Sequence, residues 1–275
     1  MELKIAAVQT YTDLGPEAKA INLKRAKAYV DEAAEQGAKF VCFPESFPGP
    51  WKEGQIYETK DAIAAMAAEK NVYIISGDLE KTENGNGYYN ICWLFGPDGS
   101  VVGKYRRTTP EGPWIYKGGK SWDFNYKTSD ELPVFDTKYG KVGILICSEV
   151  FVPELARALA LQGAEIIFFP TGVTRPEMWE TWGTLIKARA FENLAVTVLT
   201  KNILGREQGF SIIAGPEGTL METHEEGVHV VSVDMDRLHW LRNNIDEYHD
   251  VLPYKVKPGL LTQWRKPAIF RDILK

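Results

Sequence analysis

The run Val142, Gly143, Ile144, Leu145, Ile146 ends in a cysteine, Cys147, and is followed by Ser148 and Glu149. An unbroken apolar run of this kind reads as a strand covered on both faces. Its carboxyl end is where open α/β sheets place their ligands. A cysteine at that position is either small apolar packing or a nucleophile. Two further strand-like segments end in residues with chemistry. VCFPES ends with Glu45, and VVGKYRRTTPEGPW offers Lys104, Arg106, Arg107 and Glu111. A thiol of ordinary pKa, about 8.5, needs a base to become a thiolate near neutral pH. No histidine lies near Cys147 in the sequence. A glutamate tuned by burial or by a neighbouring carboxylate is then the candidate base. A cation would hold the negative charge that develops on an attacked substrate. Cysteine, glutamate and cation together describe nucleophilic acyl or imidoyl transfer.

Metal chemistry finds little support. The four histidines, His224, His229, His239 and His249, crowd the last part of the chain, with no i, i+4 helical pair and no cysteine at ligand spacing. The expected metal and cofactor content is none. A net charge of −5 gives no footprint for nucleic acid. MELKIAAVQT enters a strand directly, without the apolar region of a signal peptide. No apolar stretch approaches the ~20 residues needed to cross a bilayer. Cysteines 42, 92 and 147 form no CxxC pair, which favours free thiols and a reducing cytoplasm. The expected partners are therefore a small molecule, with no nucleic acid and no membrane.

These residues need a scaffold, and strand-like and helix-like segments alternate to provide one. Strands are expected at 3–9, 38–43, 72–76, 165–169, 195–200 and 228–233, and helices at 17–36, 57–70, 153–162 and 176–193, with Gly37 a C-cap for the first helix. NGNG predicts a hairpin into YYNICWLF, and a second hairpin is expected over 209–222. Residues 110–133 show no clear period, and a long irregular segment inside a compact domain is often functional. AEQGAKFVCFPES at 34–46 is echoed by ALQGAEIIFFPTG at 160–172. The echo suggests one α-β unit used twice, in two related sheets of one domain spanning 1–275. Layered α/β packing would give every helix an apolar partner.

FPES, GKYRR and ILICSEVFVPE, in this order and at strand ends, resemble the three signature regions of the nitrilase superfamily of carbon–nitrogen hydrolases. The likeness runs from KIAAVQT through KARAFENLAVTVLTKN to GFSIIAGPEGTL. It implies an α/β fold of the four-layer αββα sandwich type, oligomers of at least dimers, and no cofactor. It also implies a Glu–Lys–Cys triad with a second glutamate shortly after the lysine. Carried over, Glu45 takes the place of the base and Cys147 that of the nucleophile, with the Ser148 backbone N–H as oxyanion donor. The lysine position holds Arg107 instead, a planar and larger cation. Lys104 lies an odd number of residues upstream, which on a straight strand turns it to the opposite face. Lys117 and Lys120 are further candidates for the cation. Glu111 is the candidate second glutamate, arriving sooner than the resemblance implies.

Trp114 and Tyr116, with Ser148, are the candidate substrate-binding residues. Trp114, Tyr116, Trp122, Trp179 and Trp182 read equally as burial, a subunit interface, or the wall of a pocket for an apolar acyl group. Glu149 and Glu154 read as structural, as do Arg189, Glu192 and Asn193 on their helix face, and Cys42 and Cys92 as inert core. The tail from about 250 to 275 is expected in subunit contacts of a homodimer or higher oligomer. The leading function is an amidase passing through a thioester. Alternatives are an N-carbamoyl amine or acid hydrolase, a nitrilase (disfavoured because Ser148 rather than Trp follows the cysteine), a specialist whose arginine binds a substrate carboxylate, and a degenerate binding or scaffold protein.

Overall fold

The computed structural model describes residues 1–51, 55–109, 126–172, 175–203, 208–244 and 255–270. The strands, in chain order, are β1 (Glu2–Gln9), β2 (Phe40–Cys42), β3 (Tyr73–Lys81), β4 (Tyr88–Phe95), β5 (Val101–Arg106), β6 (Tyr126–Lys127), β7 (Val134–Thr137), β8 (Gly140–Ile144), β9 (Ile166–Thr171), β10 (Val196–Lys201), β11 (Ser211–Gly215), β12 (Gly218–Thr223) and β13 (Gly227–Asp234). The helices are α1 (Ala18–Glu35), α2 (Lys60–Lys70), α3 (Pro153–Leu161), α4 (Trp179–Asn193), α5 (Met235–Asn243) and α6 (Pro267–Phe270), and a 3-10 turn covers Cys147–Phe151.

The strands form two sheets. One is seven-stranded in the order β13-β1-β2-β3-β4-β5 with β6 beside β4, and the other is six-stranded in the order β12-β11-β10-β9-β8-β7. Strand alternation sorts the side chains into layers. Leu3, Ile5 and Ala7 of β1 and Phe40 and Cys42 of β2 enter a core shared with Ile144, Phe168, Val198 and Ile213 of the second sheet. Ala6, Val8, Val41 and Phe43 point the other way, onto Ala26, Val30 and Ala33 of α1 and Ile63 and Ala67 of α2. The second sheet is covered from outside by Ala156 and Leu159 of α3 and Trp182, Ile186 and Ala190 of α4. Helices, sheet, sheet and helices therefore stack as the expected αββα sandwich.

The element boundaries follow the sequence within a few residues, except that β3 runs on to Lys81 to pair with β4 across the expected hairpin. The echoed segments adopt the same form in the two sheets. α1 and α3 each end before a glycine at positive φ, Gly37 at 86° and Gly163 at 104°. Each then leads into a parallel strand, β2 in one sheet and β9 in the other. The expectation for the tail falls partly outside the described residues. Of the remainder, Val256 and Leu261 pack on Ala160, Leu194 and Leu241 of the same chain.

Candidate active site

The site lies where parallel strands of both sheets end. In the first sheet, β2 is followed by Glu45, and the turn that carries it crosses the inner face of β3 at Gly77. A Cβ at Gly77 would collide with the Ser46 backbone nitrogen and sit 3.1 Å from the Glu45 carbonyl carbon. Glycine is what lets the two backbones approach. The crossing lays the Glu45 carboxylate over β4. There the Asn90 amide donates to Oε1 at 2.7 Å. From the second sheet, the backbone N–H of Gly172, just past β9, donates to Oε2 at 2.9 Å. Any side chain at Gly172 would meet that oxygen, because its Cβ would lie 2.9 Å away. Glu45 is 3% exposed, and both its carboxylate oxygens meet protein donors.

β5 decides which basic residue reaches the site. Trp93 pairs with Lys104, and Cys92 with Tyr105. Lys104 and Arg106 thus share the outer face, where both bind Glu80. Tyr105 and Arg107 share the inner face. Arg107 is 4% exposed. Its Nη1 donates to Glu45 Oε1 at 3.2 Å, its Nη2 to Ser148 Oγ at 2.5 Å, and its Nε to the Thr109 carbonyl at 2.9 Å. One guanidinium therefore bridges the glutamate and the residue beside the cysteine. A lysine ammonium, a point charge on a flexible stem, lacks this planar fork.

Cys147 opens the 3-10 turn after β8 and is 4% exposed. Its φ of 54° is left-handed, as is the 52° of Ser46 beside the glutamate. Non-glycine residues adopt this conformation only where their surroundings enforce it. Glu149 supplies much of that enforcement. Its Oε2 accepts from the Ile146 N–H at 2.6 Å, closing the turn on itself. Its Oε1 accepts from the Tyr105 hydroxyl at 2.7 Å, from the Thr108 N–H and hydroxyl at 2.9 and 2.7 Å, and from the Thr109 N–H at 3.1 Å. Glu149 is thus structural, as its sequence context suggests, and the structure it makes is the joint between the cysteine turn and the Arg107 segment. Burial and the Glu149 charge push the Tyr105 phenol far above its ordinary range, so it stays a donor. Arg189 braces the same turn from α4, with Nε on the Val150 carbonyl at 3.1 Å.

Burial pushes the Cys42 thiol up to about 12 and the Cys92 thiol well above its ordinary value. Both are unreactive core, as their strand contexts predict. Trp182 is core as well, with Phe151 edge-on at 5.3 Å and the Lys201 ammonium 3.9 Å from its ring centre. Trp179 stacks on His224 at 4.5 Å. Glu154 is exposed in the first turn of α3. Among the described residues no group of three His, Cys, Asp or Glu is placed to hold a metal ion. No helix among them is long and apolar enough to cross a membrane. Glu45, Arg107, Cys147 and Ser148 are brought together. Glu111, Trp114 and Tyr116, with Lys117, Lys120 and Trp122, lie outside the described residues. Sequence reasoning passed over Asn90, Gly77 and Gly172. For Asn90 a signal existed, since a lone amide in the apolar strand YYNICWLF must find a partner if buried.

The strand ends of an αββα sandwich thus bring a buried cysteine, a glutamate and a guanidinium into one site. The chain belongs to the carbon-nitrogen hydrolase family, whose profile matches residues 4–243. It is 31% identical to an N-carbamoylputrescine amidase of Solanum tuberosum, over 86% of this chain and 89% of that protein. It is 30% identical to an omega-amidase of Mus musculus, over 82% of this chain and 88% of the relative. A solved amidase of Nesterenkonia sp. AN1 superposes with a TM-score of 0.74 at 24% identity, covering 86% of this chain and 92% of that one. In that structure, a glutamate-to-glutamine variant, the acetamide moiety of fluoroacetamide is attached to the active-site cysteine.

Proposed function

We propose that this enzyme hydrolyses a small non-peptide amide to a carboxylic acid and ammonia, with Cys147 as nucleophile, Glu45 as general base and Arg107 as the charge-stabilising cation. The observation that carries the reading is the Arg107 bridge between Glu45 and Ser148. It ties Glu45 and Ser148, the neighbour of Cys147, to one guanidinium, which supports these three roles. Glu45 takes the thiol proton as sulfur attacks the amide carbon. The tetrahedral oxyanion is held by the guanidinium and by the Ser148 backbone N–H. Collapse expels ammonia, which leaves with the proton Glu45 had taken, and a thioester remains. Glu45 then deprotonates a water that attacks the thioester, and sulfur leaves to recover the proton.

A site kept this closely tied supports catalysis over a degenerate scaffold. The kinship with an N-carbamoylputrescine amidase favours a second reading, in which the bond cleaved belongs to an N-carbamoyl amine. Both would use the same residues. The net charge of −5 and the free, buried cysteines support a cytoplasmic enzyme acting on small molecules rather than nucleic acid. The family resemblance supports a homodimer or higher oligomer. The test is ammonia release across aliphatic amides, ω-amides of dicarboxylic acids, N-carbamoyl amines and nitriles, with carbon dioxide followed in parallel. Ammonia alone from an amide, abolished in Cys147→Ala, supports the amidase. Ammonia with carbon dioxide from an N-carbamoyl amine moves the assignment to the second reading. Turnover that persists in Cys147→Ala overturns both.

A further inference from the structure

Asn90 is 3% exposed, on the inner face of β4 between the base and the cation. Its side-chain Nδ2 donates to Glu45 Oε1 at 2.7 Å, and its backbone carbonyl accepts from the Arg107 N–H at 2.9 Å. Its own Oδ1 is buried with no hydrogen-bond partner among the described residues. An amide satisfied by packing alone would not be turned so as to orphan its carbonyl. The carboxylate dictates the orientation, because an ionised glutamate only accepts and can face only the donor end of the amide. With Gly172 N–H on the other oxygen, the carboxylate is pinned at both ends. From the assignment of Glu45 as the base of Cys147, on which this inference rests, we infer that Asn90 is the positioning residue of the site. It fixes the plane of the base through its side chain, and the spacing of base and cation through its main chain.

The charged and titratable groups around Glu45 come from several elements. Arg107, which follows β5, pairs with Glu45; Cys92 on β4 feels Glu45 together with Cys42 of β2, Glu149 of the 3-10 turn and Asp78 on the far face of β3; and Cys147 opens that turn. Cys42 and Cys92 stay protonated through the working range, and the guanidinium stays charged. A change in how the base is held should therefore surface in the reactivity of Cys147 against pH. The experiment measures alkylation of Cys147 by iodoacetamide from pH 4 to 9 in the native chain and in Asn90→Asp, Asn90→Ser and Asn90→Ala, with Cys147→Ala as blank. It also measures kcat and KM on whichever amide the panel yields.

Asn90→Asp sets a second carboxylate against Glu45, and the alkylation profile should move up by about 1 pH unit or more. Asn90→Ala should lower kcat by up to about 100-fold, the scale of loss when a catalytic group is misplaced by about 1 Å, with KM within about twofold. Asn90→Ser, which keeps a shorter donor, should fall between Asn90→Ala and the native chain, and it serves if Asn90→Asp does not fold. Profiles unmoved and kcat unchanged in the folded variants, while Cys147→Ala is dead, overturn the role of Asn90 and leave the base assignment standing. Activity surviving in Cys147→Ala removes the assignment itself, and the inference with it.

Discussion

Arg107 meets Thr109, Glu45 and Ser148 with three different nitrogens, and no single-headed cation reproduces that. Arg107→Met should lower kcat by about 10²- to 10³-fold, the usual range for loss of one oxyanion donor. Arg107→Lys keeps the charge but not the fork, and should lose less than Arg107→Met without regaining native activity. Steady-state kinetics on the best amide checks the order. Glu149 makes a different prediction, because its work is mechanical. Glu149→Ala strands the N–H groups of Ile146, Thr108 and Thr109 and the Tyr105 hydroxyl in the interior. The expected loss is about 3 kcal/mol or more, read from the midpoint of denaturant unfolding. A variant as stable as the native chain would show that the joint is not held by this carboxylate.

β3 carries two adjacent requirements on opposite faces. On the inner face Gly77 must stay bare, because the Glu45 turn rests on it. Gly77→Ala should fold less stably, by about 1–3 kcal/mol, and should lose turnover because Glu45 is displaced. On the outer face Asp78 is 7% exposed, and burial raises its carboxyl to about 6 despite donors from Leu79 N–H and Thr59. A carboxyl raised in the folded state binds its proton more tightly there than in the unfolded chain. Stability therefore falls as pH rises from about 4 to about 6, and is flat above, where both states are ionised. The cost of ionising Asp78 is on the order of 2–3 kcal/mol. In Asp78→Asn this part of the slope should vanish, as urea unfolding at pH 4.5 and pH 7 would register. An unchanged slope would place the titration elsewhere.

At the scale of the molecule, the two sheets set two thiols apart from the third. Cys42 and Cys92 sit fully buried in the inter-sheet core, while Cys147 stands at its rim. Iodoacetamide should modify one cysteine per native chain and three per unfolded chain, counted by mass spectrometry. Modification of Cys42 or Cys92 at the rate of Cys147 would contradict this partition. The stacking also sets where chemistry can occur. Thr200 of β10 donates to the Phe43 carbonyl at 3.0 Å, locking the ends of strands from both sheets at the level where Glu45 and Gly172 meet.

Much of this was legible before any coordinates. Alternating strand-like and helix-like segments and the echoed α-β unit pointed to layered α/β packing, because those patterns record which faces must leave water, and the likeness of FPES, GKYRR and ILICSEVFVPE to the nitrilase superfamily made it an αββα sandwich. The strand-end positions of Glu45 and Cys147 were readable for the same reason. Parity along GKYRR already set Arg107 and Lys104 on opposite faces, since a straight strand alternates its faces, and the family likeness chose Arg107. What a linear pattern does not carry is which strand ends meet across two sheets. That Asn90 holds Glu45, that Gly172 approaches it from the opposite sheet, and that Glu149 ties the cysteine turn to the arginine segment are contacts between residues 40 to 127 positions apart. They exist because hydrophobic burial stacks the sheets face to face and forces every polar group trapped at their rim to find its partner there.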